Sequence, residues 1–371
     1  MPITFSEQFN ISKEVLEITG VFDVILDIDT RVFIDPALLE LCTEPEFLDA
    51  RKKVEKYFSD IITLLRHSKS QTDMYRKRAE RMLTFTELSG TCFGYSQNGT
   101  GGNAIGSVLR KTILNTIQDL MTEGDTDPVL FELLGVFQEG IGCDRVSDLI
   151  TFILREDMLK YTQRVTEFAG VDPLSVSFGH KIYKTCRNPY NNKPLLLLPS
   201  AILSPLPIAD TFDDIDWICQ ENERVREEIN SYFDLGKKTK LHKSQILTLM
   251  RNSTSFRTAL IAAYKATPKK VYDFSEDPAG EYVWLSAARE YTEKYPLSLS
   301  QVPLETSDDV LTIAKTICNQ FKTLVEDNGL SKLLYNSNGT PKHESAAQLL
   351  FYGIADSYCD ANNIDLTKEG N

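Results

Sequence analysis

The chain has 371 residues, of which 42% are hydrophobic, and its formal net charge is −13. This length allows one large core or two smaller ones, because domains usually hold ~100 to 200 residues. The acidic balance opposes free association with a polyanion, so any contact with DNA has to be made by a local basic surface.

The cysteines and the apolar segments bear on the cellular compartment. Seven cysteines are scattered without a C-x-x-C pair, which indicates reduced thiols in a cytoplasmic protein. The opening residues are mixed and polar, unlike a secretion signal. The longest apolar run, 195–203, is interrupted by proline and is too short to cross a bilayer. We therefore expect a soluble cytoplasmic protein with no membrane contact.

The first element in chain order is extended. Residues 21–36 alternate between apolar and charged side chains, which predicts a half-buried strand or a tight hairpin that turns near Asp29 and Thr30. Residues 44–65 then carry apolar side chains at helical spacing with lysines between them, which predicts a core-facing helix.

A shorter helix over 74–83 contains the densest basic cluster of the chain. Four cations within six residues could contact the phosphates of DNA. They could equally form a solvated helix face that Glu80 and Glu87 compensate. The cluster comprises Arg76, Lys77, Arg78 and Arg81.

A glycine loop over 94–106 leads into the next helix, which Thr100 or Asn103 could cap. Exposed amides at a helix start after glycines can bind an anion, although the P-loop pattern G-x-x-x-x-G-K-[ST] is absent. A nucleotide site, a contact loop for a partner and a plain helix entry all remain open. The candidate binding residues of this loop are Gly99, Gly101, Gly102 and Asn103.

A second glycine turn, 138–148, precedes another helix. Its charged residues Glu139, Asp144 and Arg145 could form a polar site beside the first loop. The alternative is structural. Asp144 would cap the helix, the helix dipole would favour the negative charge of Asp148 in the first turn, and Arg145 would pair with either aspartate.

The rest of the chain reads as helices around one small hairpin. Strands over 182–186 and 195–198 are predicted to pair, and long helices are predicted over 213–232 and 243–266. A helix from Ser307 closes near Gly329. We therefore predict a mainly α (α+β) fold with a short N-terminal hairpin, a small mid-chain β-hairpin, and two helical lobes, 1–210 and 211–371.

The segment 340–371 carries a family resemblance. It resembles the helix that leads into the catalytic core of large bacterial proteins with a PD-(D/E)XK, or restriction-endonuclease-like, domain of the anti-phage defence type. Upstream phrases of such proteins are matched in the same order by 22–38, 94–106 and 139–149.

The resemblance implies that Glu344 is the helix carboxylate that helps to bind a divalent metal, and so has a catalytic role. There is a structural alternative. If Thr340 caps the helix and Pro341 is its first residue, Glu344 lies in the first turn, where the helix dipole favours a negative charge. The aspartate strand and the Glu-x-Lys strand of a PD-(D/E)XK site are not found before Asn371. We therefore expect no cofactor in the chain as given, and Mg²⁺ if a nuclease core completes the site.

Three functional hypotheses follow. The first is the N-terminal sensing and partner-binding part of a nuclease-like defence protein without cleavage activity of its own, with the nuclease core or another protein as partner and DNA contacted through the basic cluster. The second is a stand-alone interaction protein. The third is a nucleotide-binding enzyme built on the loop 99–106.

Overall fold

The structure is a computed structural model in which two compact units are resolved, one formed by Thr4–Val271 and one containing Tyr272–Asn371. The residues described are 4–26, 30, 32–85, 90–93, 106–205, 243–266, 271–274, 284–299, 304, 306–335, 339–342 and 344–364.

The described part of the chain is mainly helical, as the sequence predicts. Ten α-helices and four short strands belong to the first unit, and three α-helices belong to the second, within the described residues. The helices are α1 (Phe5–Phe9), α2 (Lys13–Thr19), α3 (Ala50–His67), α4 (Met74–Met82), α5 (Ser107–Thr122), α6 (Leu134–Phe137), α7 (Cys143–Ile153), α8 (Arg155–Phe168), α9 (Lys243–Asn252), α10 (Thr254–Ala266), α11 (Trp284–Lys294), α12 (Ser307–Glu326) and α13 (Glu344–Ala361). The strands are β1 (Val32–Ile34), β2 (Leu174–Phe178), β3 (Lys181–Thr185) and β4 (Leu203–Pro205).

The N-terminal extended segment forms its strand at β1, but its partner is distant in sequence. β1 pairs antiparallel with β4, with Phe33 opposite Ser204. All three β1 residues are buried, so both faces of the strand are covered. Alternation predicts that a segment is extended but does not determine its partner, which explains why the expected local hairpin is replaced by this long-range pair. The expected turn at Asp29 lies outside the described residues.

A mid-chain hairpin forms as predicted, but the strand at 182–186 pairs with the segment that precedes it and not with the predicted segment that follows it. β3 pairs with the preceding β2 across a two-residue turn at Gly179 and His180. Gly179 has φ +61°, which the tight turn requires and which glycine adopts without strain. The predicted partner, 195–198, contacts the end of the hairpin only where the Leu195 amide donates to the Cys186 carbonyl at 2.9 Å.

The core of the first unit is built around α3. Its buried face, one side of an amphipathic helix, packs on the loop and helices that follow. Phe58 stacks on Phe131 with ring centroids 4.7 Å apart. The buried residues of α3 are Ala50, Val54, Phe58, Ile61, Ile62 and Leu65.

The second unit packs α12 and α13 with α11. Its buried core includes Leu324 of α12 and Ile354 of α13. Gly353 of α13 packs so closely against Trp284 that a Cβ at this position would come within 2.6 Å of the indole. Trp284 therefore specifies glycine at this helix crossing.

Several predicted helix starts are corrected by the structure. α5 begins after Gly106, which gives no side-chain cap, and α7 begins after Gly142, so Asp144 lies in the first turn and is not the cap. α12 is capped by Thr306, one residue before the predicted Ser307. Pro341 lies in a bridge with Tyr335 and not in a helix. Neighbouring candidate caps look alike in sequence, and the tertiary path of the chain selects among them.

The predicted boundary between residues 210 and 211 and the predicted helix 213–232 lie outside the described residues. The long helix predicted over 243–266 is instead two helices, α9 and α10, which break at Ser253 and pack within the first unit.

Candidate functional site

The first candidate site lies at the turn that connects α3 to α4. Asp73 closes the connecting turn because its carboxylate accepts hydrogen bonds from the amides of Lys69 at 2.6 Å, Ser70 at 2.9 Å and Arg76 at 2.8 Å. These bonds hold the pKa of Asp73 well below its usual range. The turn therefore brings the C-terminal end of α3 next to the first turn of α4 in a fixed geometry.

One member of the predicted basic cluster points away from solvent. Arg76 is 2% exposed, and its guanidinium donates to Gln118 Oε1 at 2.8 Å, to the Lys111 carbonyl at 3.2 Å and to Asn115 Oδ1. Desolvation lowers the pKa of Arg76. Arg76 thus fixes α4 to α5 and is not placed to contact a phosphate, although the sequence groups it with its neighbours.

The remaining cations of the cluster are exposed and unpaired. Lys77, Arg78 and Arg81 share one face of α4, since residues three and four apart are neighbours on a helix. Two further exposed cations belong to the connection between the helices, Arg66 in the last turn of α3 and Lys69 in the turn that follows it. Within the described residues none of these five forms an ion pair. We call this set of five, Arg66, Lys69, Lys77, Arg78 and Arg81, the basic corner.

Several other exposed lysines of the same unit form ion pairs, although Lys13, Lys111 and Lys184 do not within the described residues. Lys56 lies 3.1 Å from Asp60, and Lys160 lies 3.1 Å from Glu156. Because the chain as a whole is acidic, partners are available for most surface cations. The basic corner is therefore a local concentration of uncompensated positive charge on an acidic protein.

Aromatic and thioether groups adjoin the basic corner. The rings of His67 and Tyr75 lie 5.7 Å apart with an interplanar angle of 36°. Tyr75 is 39% exposed, and Met74 is 71% exposed. Exposed aromatic rings beside cations can stack on bases while the cations contact phosphates. Sequence reasoning missed Arg66 and Lys69, which precede the turn at Asp73, and Tyr75, which directly precedes Arg76 in α4.

A second candidate lies between the start of α5 and the turn before α7. The start of α5 and the turn before α7 line one open cleft of about 600 Å³. Arg145 crosses the turn and donates to the Gly140 carbonyl. The residues that line the cleft are Gly106, Val108, Leu109, Thr112, Gln138, Glu139 and Arg145.

Buried polar contacts support the floor of this cleft. Thr116 Oγ1 donates to Gln138 Oε1 at 3.0 Å, and the buried Lys243 of α9 donates to the Ile141 carbonyl. Asp144 is set behind the turn, where burial raises its pKa. The cleft thus presents the uncapped start of α5, one guanidinium and the exposed carboxylate of Glu139.

The remaining predicted binding residues belong to the glycine loop before α5. Gly99, Gly101, Gly102 and Asn103 lie outside the described residues, so their part in a site stays a prediction.

Glu344 is the first residue of α13 and is exposed. Across the described ranges, no group of three His, Cys, Asp or Glu side chains is arranged to hold a metal ion. A Mg²⁺ ion takes about six oxygen ligands. Glu344 alone does not fit that requirement, so its catalytic and metal-binding roles stay predictions and no chemical step is derived from them.

Together the fold and these surfaces define a mainly helical protein with a cationic corner and a separate open cleft. Within the described ranges, no helix combines the length and apolar character needed to cross a membrane.

The chain belongs to the family described as "Domain of unknown function (DUF8370)", which matches residues 10–210, more than half of the chain. A second family, "Domain of unknown function (DUF8371)", matches residues 310–371. The first match contains both candidate sites, and the second contains α13 and most of α12. Searches of curated proteins and of solved structures gave no match.

Proposed function

We propose that this protein contacts nucleic acid through the basic corner, as the sensing and partner-binding part of a nuclease-like bacterial defence protein. The observation that carries the nucleic-acid contact is the set of five exposed cations that form no ion pair among the described residues of an acidic chain. Phosphate neutralisation by lysine and arginine supplies most of the affinity of non-specific binding. The nuclease-like relation rests on the resemblance of 340–371.

The rigidity of the corner supports this proposal. Asp73 and Arg76 use their charges within the fold, which fixes the direction of α4 without neutralising Lys77, Arg78 or Arg81. A preorganised cationic face loses little conformational entropy on binding beyond that of its own side chains. Sequence preference is not expected, since phosphate contacts carry no base information.

The test is a salt titration of DNA binding by fluorescence anisotropy with a duplex probe. Replacing Lys77, Arg78 and Arg81 together by glutamine should weaken binding and reduce the slope of log K against log salt by about 2.7, if three phosphate contacts are lost. The matched control replaces Lys52, Lys56 and Lys160 by glutamine. These exposed lysines are ion-paired, and their loss removes the same formal charge.

Equal effects of the two triple variants would show that only net charge matters and would contradict a site at the corner. The nuclease-like part has its own test. With Mg²⁺ present, the chain should bind the duplex without cutting it, and Glu344→Gln should leave binding unchanged. Metal-dependent cleavage that is lost in this variant would instead identify Glu344 as part of a complete active site.

The second candidate is a ligand or partner at the cleft of α5 and α7. The start of α5 and the turn before α7 line one cavity, which favours this candidate, as does the guanidinium of Arg145 at the rim. A nucleotide is one occupant to test, because helix starts bind phosphate. ATP or GTP at 100 times its Kd should add about 2.7 kcal/mol of stability, and an unchanged melting temperature with either nucleotide would remove this alternative.

A further inference from the structure

The β2–β3 hairpin has one edge that is covered and one that is open. In a hairpin with a two-residue turn, hydrogen-bonded and non-bonded pairs alternate, so Ser175 and Ser177 of β2 point their backbone groups outward. On the other edge, the outward amide of Lys184 donates to Gln163 Oε1 at 3.1 Å. Ser175 and Ser177 are exposed, and their outward amides meet no hydrogen-bond acceptor in the described part of the chain.

The open edge lacks the features that normally prevent strand addition. The β2 sequence is Leu-Ser-Val-Ser-Phe, with no charge and no proline, and it pairs with β3 in regular register over all five residues. Natural edge strands are commonly protected by lysine, proline or a bulge. β2 is therefore a suitable template for one more strand.

Arg155 lies on the face of the hairpin that carries the Phe178 side chain. Its guanidinium carbon is 4.7 Å from the centre of the Phe178 ring. Its Nε is buried and has no hydrogen-bond partner among the residues that the structure describes. An arginine guanidinium stays charged in a protein and offers five donors, so a partly buried one without an acceptor favours an anionic group from outside.

The two features share one side of the hairpin. Side chains alternate along β2, so a residue of an added strand that sits opposite Phe178 would project toward the face that carries Arg155. Lys181 on that face already pairs with Glu156 at 2.9 Å, which leaves Arg155 as the cation to be neutralised. The complementary group at this position is a carboxylate.

A second copy of β2 would not provide that carboxylate. In an antiparallel self-pairing centred on Val176, the residue opposite Phe178 is Leu174, and β2 contains no acidic residue. We propose that β2 binds an extended acidic segment of a partner protein by strand addition, with one carboxylate of that segment paired to Arg155. The backbone of Ser175 and Ser177 provides the affinity, and Arg155 selects the acidic side chain.

The test uses blocked six-residue peptides of alternating threonine and valine, with glutamate placed at each position in turn, and a parallel series with lysine. Binding is measured by fluorescence anisotropy, and hydrogen exchange reports the amides of Ser175 and Ser177. At least one glutamate peptide should bind about tenfold more tightly than its lysine counterpart and protect both amides.

Two matched pairs of variants localise the effect. Ser177→Pro removes an outward amide without breaking the β2–β3 ladder and should weaken binding about fivefold or more, whereas Ser177→Ala keeps the amide and should bind normally. Arg155→Met should abolish the preference for glutamate. Lys184→Met removes the same charge from the opposite face and should retain the preference.

Three results would overturn the proposal. The first is equal binding of the glutamate and lysine series, including the absence of binding by both. The second is an equal effect of proline and alanine at residue 177. The third is protection of the two amides that rises with protein concentration alone and accompanies a dimer in sedimentation, because the occupant would then be a second copy.

Discussion

Arg76 Nη1 donates to Gln118 Oε1 at 2.8 Å, and this contact joins the buried face of α4 to α5. The arginine lies directly before Lys77 and Arg78, which are exposed. One basic run in the sequence is thus divided between an internal anchor and a surface. The division determines which cations are available to an external anion.

Replacing Arg76 by alanine should lower the free energy of unfolding by about 2 to 4 kcal/mol. The variant loses the packed stem and leaves the side-chain amides of Gln118 and Asn115 without their charged donor. Lys77→Ala should change stability by less than about 0.5 kcal/mol, since Lys77 is exposed and unpaired. Urea unfolding followed by circular dichroism measures both. Similar losses in the two variants would contradict the anchoring role.

The buried pair of Arg51 and Glu132 should be strongly coupled. Arg51 Nη1 lies 2.8 Å from Glu132 Oε1, and Tyr264 Oη donates to Glu132 Oε2 at 2.9 Å. Burial raises the pKa of Glu132. Glu132→Leu should cost about 3 kcal/mol, because Arg51 keeps its bond to the more exposed Glu55 but loses its buried partner, and Tyr264 Oη loses its acceptor.

A double-mutant cycle tests this pair. The variant with both Arg51→Leu and Glu132→Leu should be more stable than the sum of the single effects predicts, by about 1 kcal/mol or more. Asp60→Asn, which breaks an exposed pair with Lys56, serves as the control and should cost about 0.5 kcal/mol at most. Additive losses would show that Arg51 and Glu132 act independently.

Gly90 should tolerate no side chain. Its φ is +125°, and a Cβ would come within 2.2 Å of the Pro194 carbonyl oxygen. Gly90→Ala should destabilise the first unit by about 3 kcal/mol or more, since strain and a backbone clash add. Gly124 has φ +98° but open space around it, so Gly124→Ala should cost only the conformational strain, about 1 to 2 kcal/mol. Thermal unfolding compares the two, and an equal shift in Tm would contradict the clash.

Glu156 should titrate well below an ordinary glutamate. Hydrogen bonds, first from Lys181 and then from Lys160 and Tyr183, lower the pKa of Glu156 to about 2. The unfolded value is about 4.3, so the contribution of Glu156 to the stability of the β2–β3 hairpin is present above that pH and is lost as the pH falls toward 2.

Carboxyl NMR titration checks the Glu156 pKa directly. The protection factor of the Tyr183 amide, which is corrected for the intrinsic exchange rate at each pH, should fall as the pH falls through this range, and Glu156→Gln should remove that dependence. A titration midpoint near 4.3 would show that the Lys181 and Tyr183 bonds are not formed in solution.

The helices could largely be predicted from sequence because their signals are local. Apolar spacing predicts α3 and α4 within a few residues at each end. Strand pairing could not be predicted in the same way. The alternating pattern around β1 predicts an extended segment with a buried face, but it does not identify the strand with which that segment pairs. β4 lies about 170 residues away.

The candidate surfaces show the same limit. The basic cluster of α4 is evident in the sequence, but the inward direction of Arg76 depends on Gln118 of another helix. Likewise, the exposed edge of β2 requires the turn at Gly179 and the cover that Gln163 gives to β3. Neither partner is specified by the local pattern.

By itself the sequence determined a mainly helical protein, an acidic balance and the positions of two glycine turns, because composition and periodicity are properties of adjacent residues. Only the tertiary structure decided that the start of α5 and the turn before α7 line one cleft, and that five cations in the last turn of α3, the following turn and α4 lack ion pairs within the described chain. The physical reason is that exposure and pairing of a side chain depend on segments that folding brings beside it.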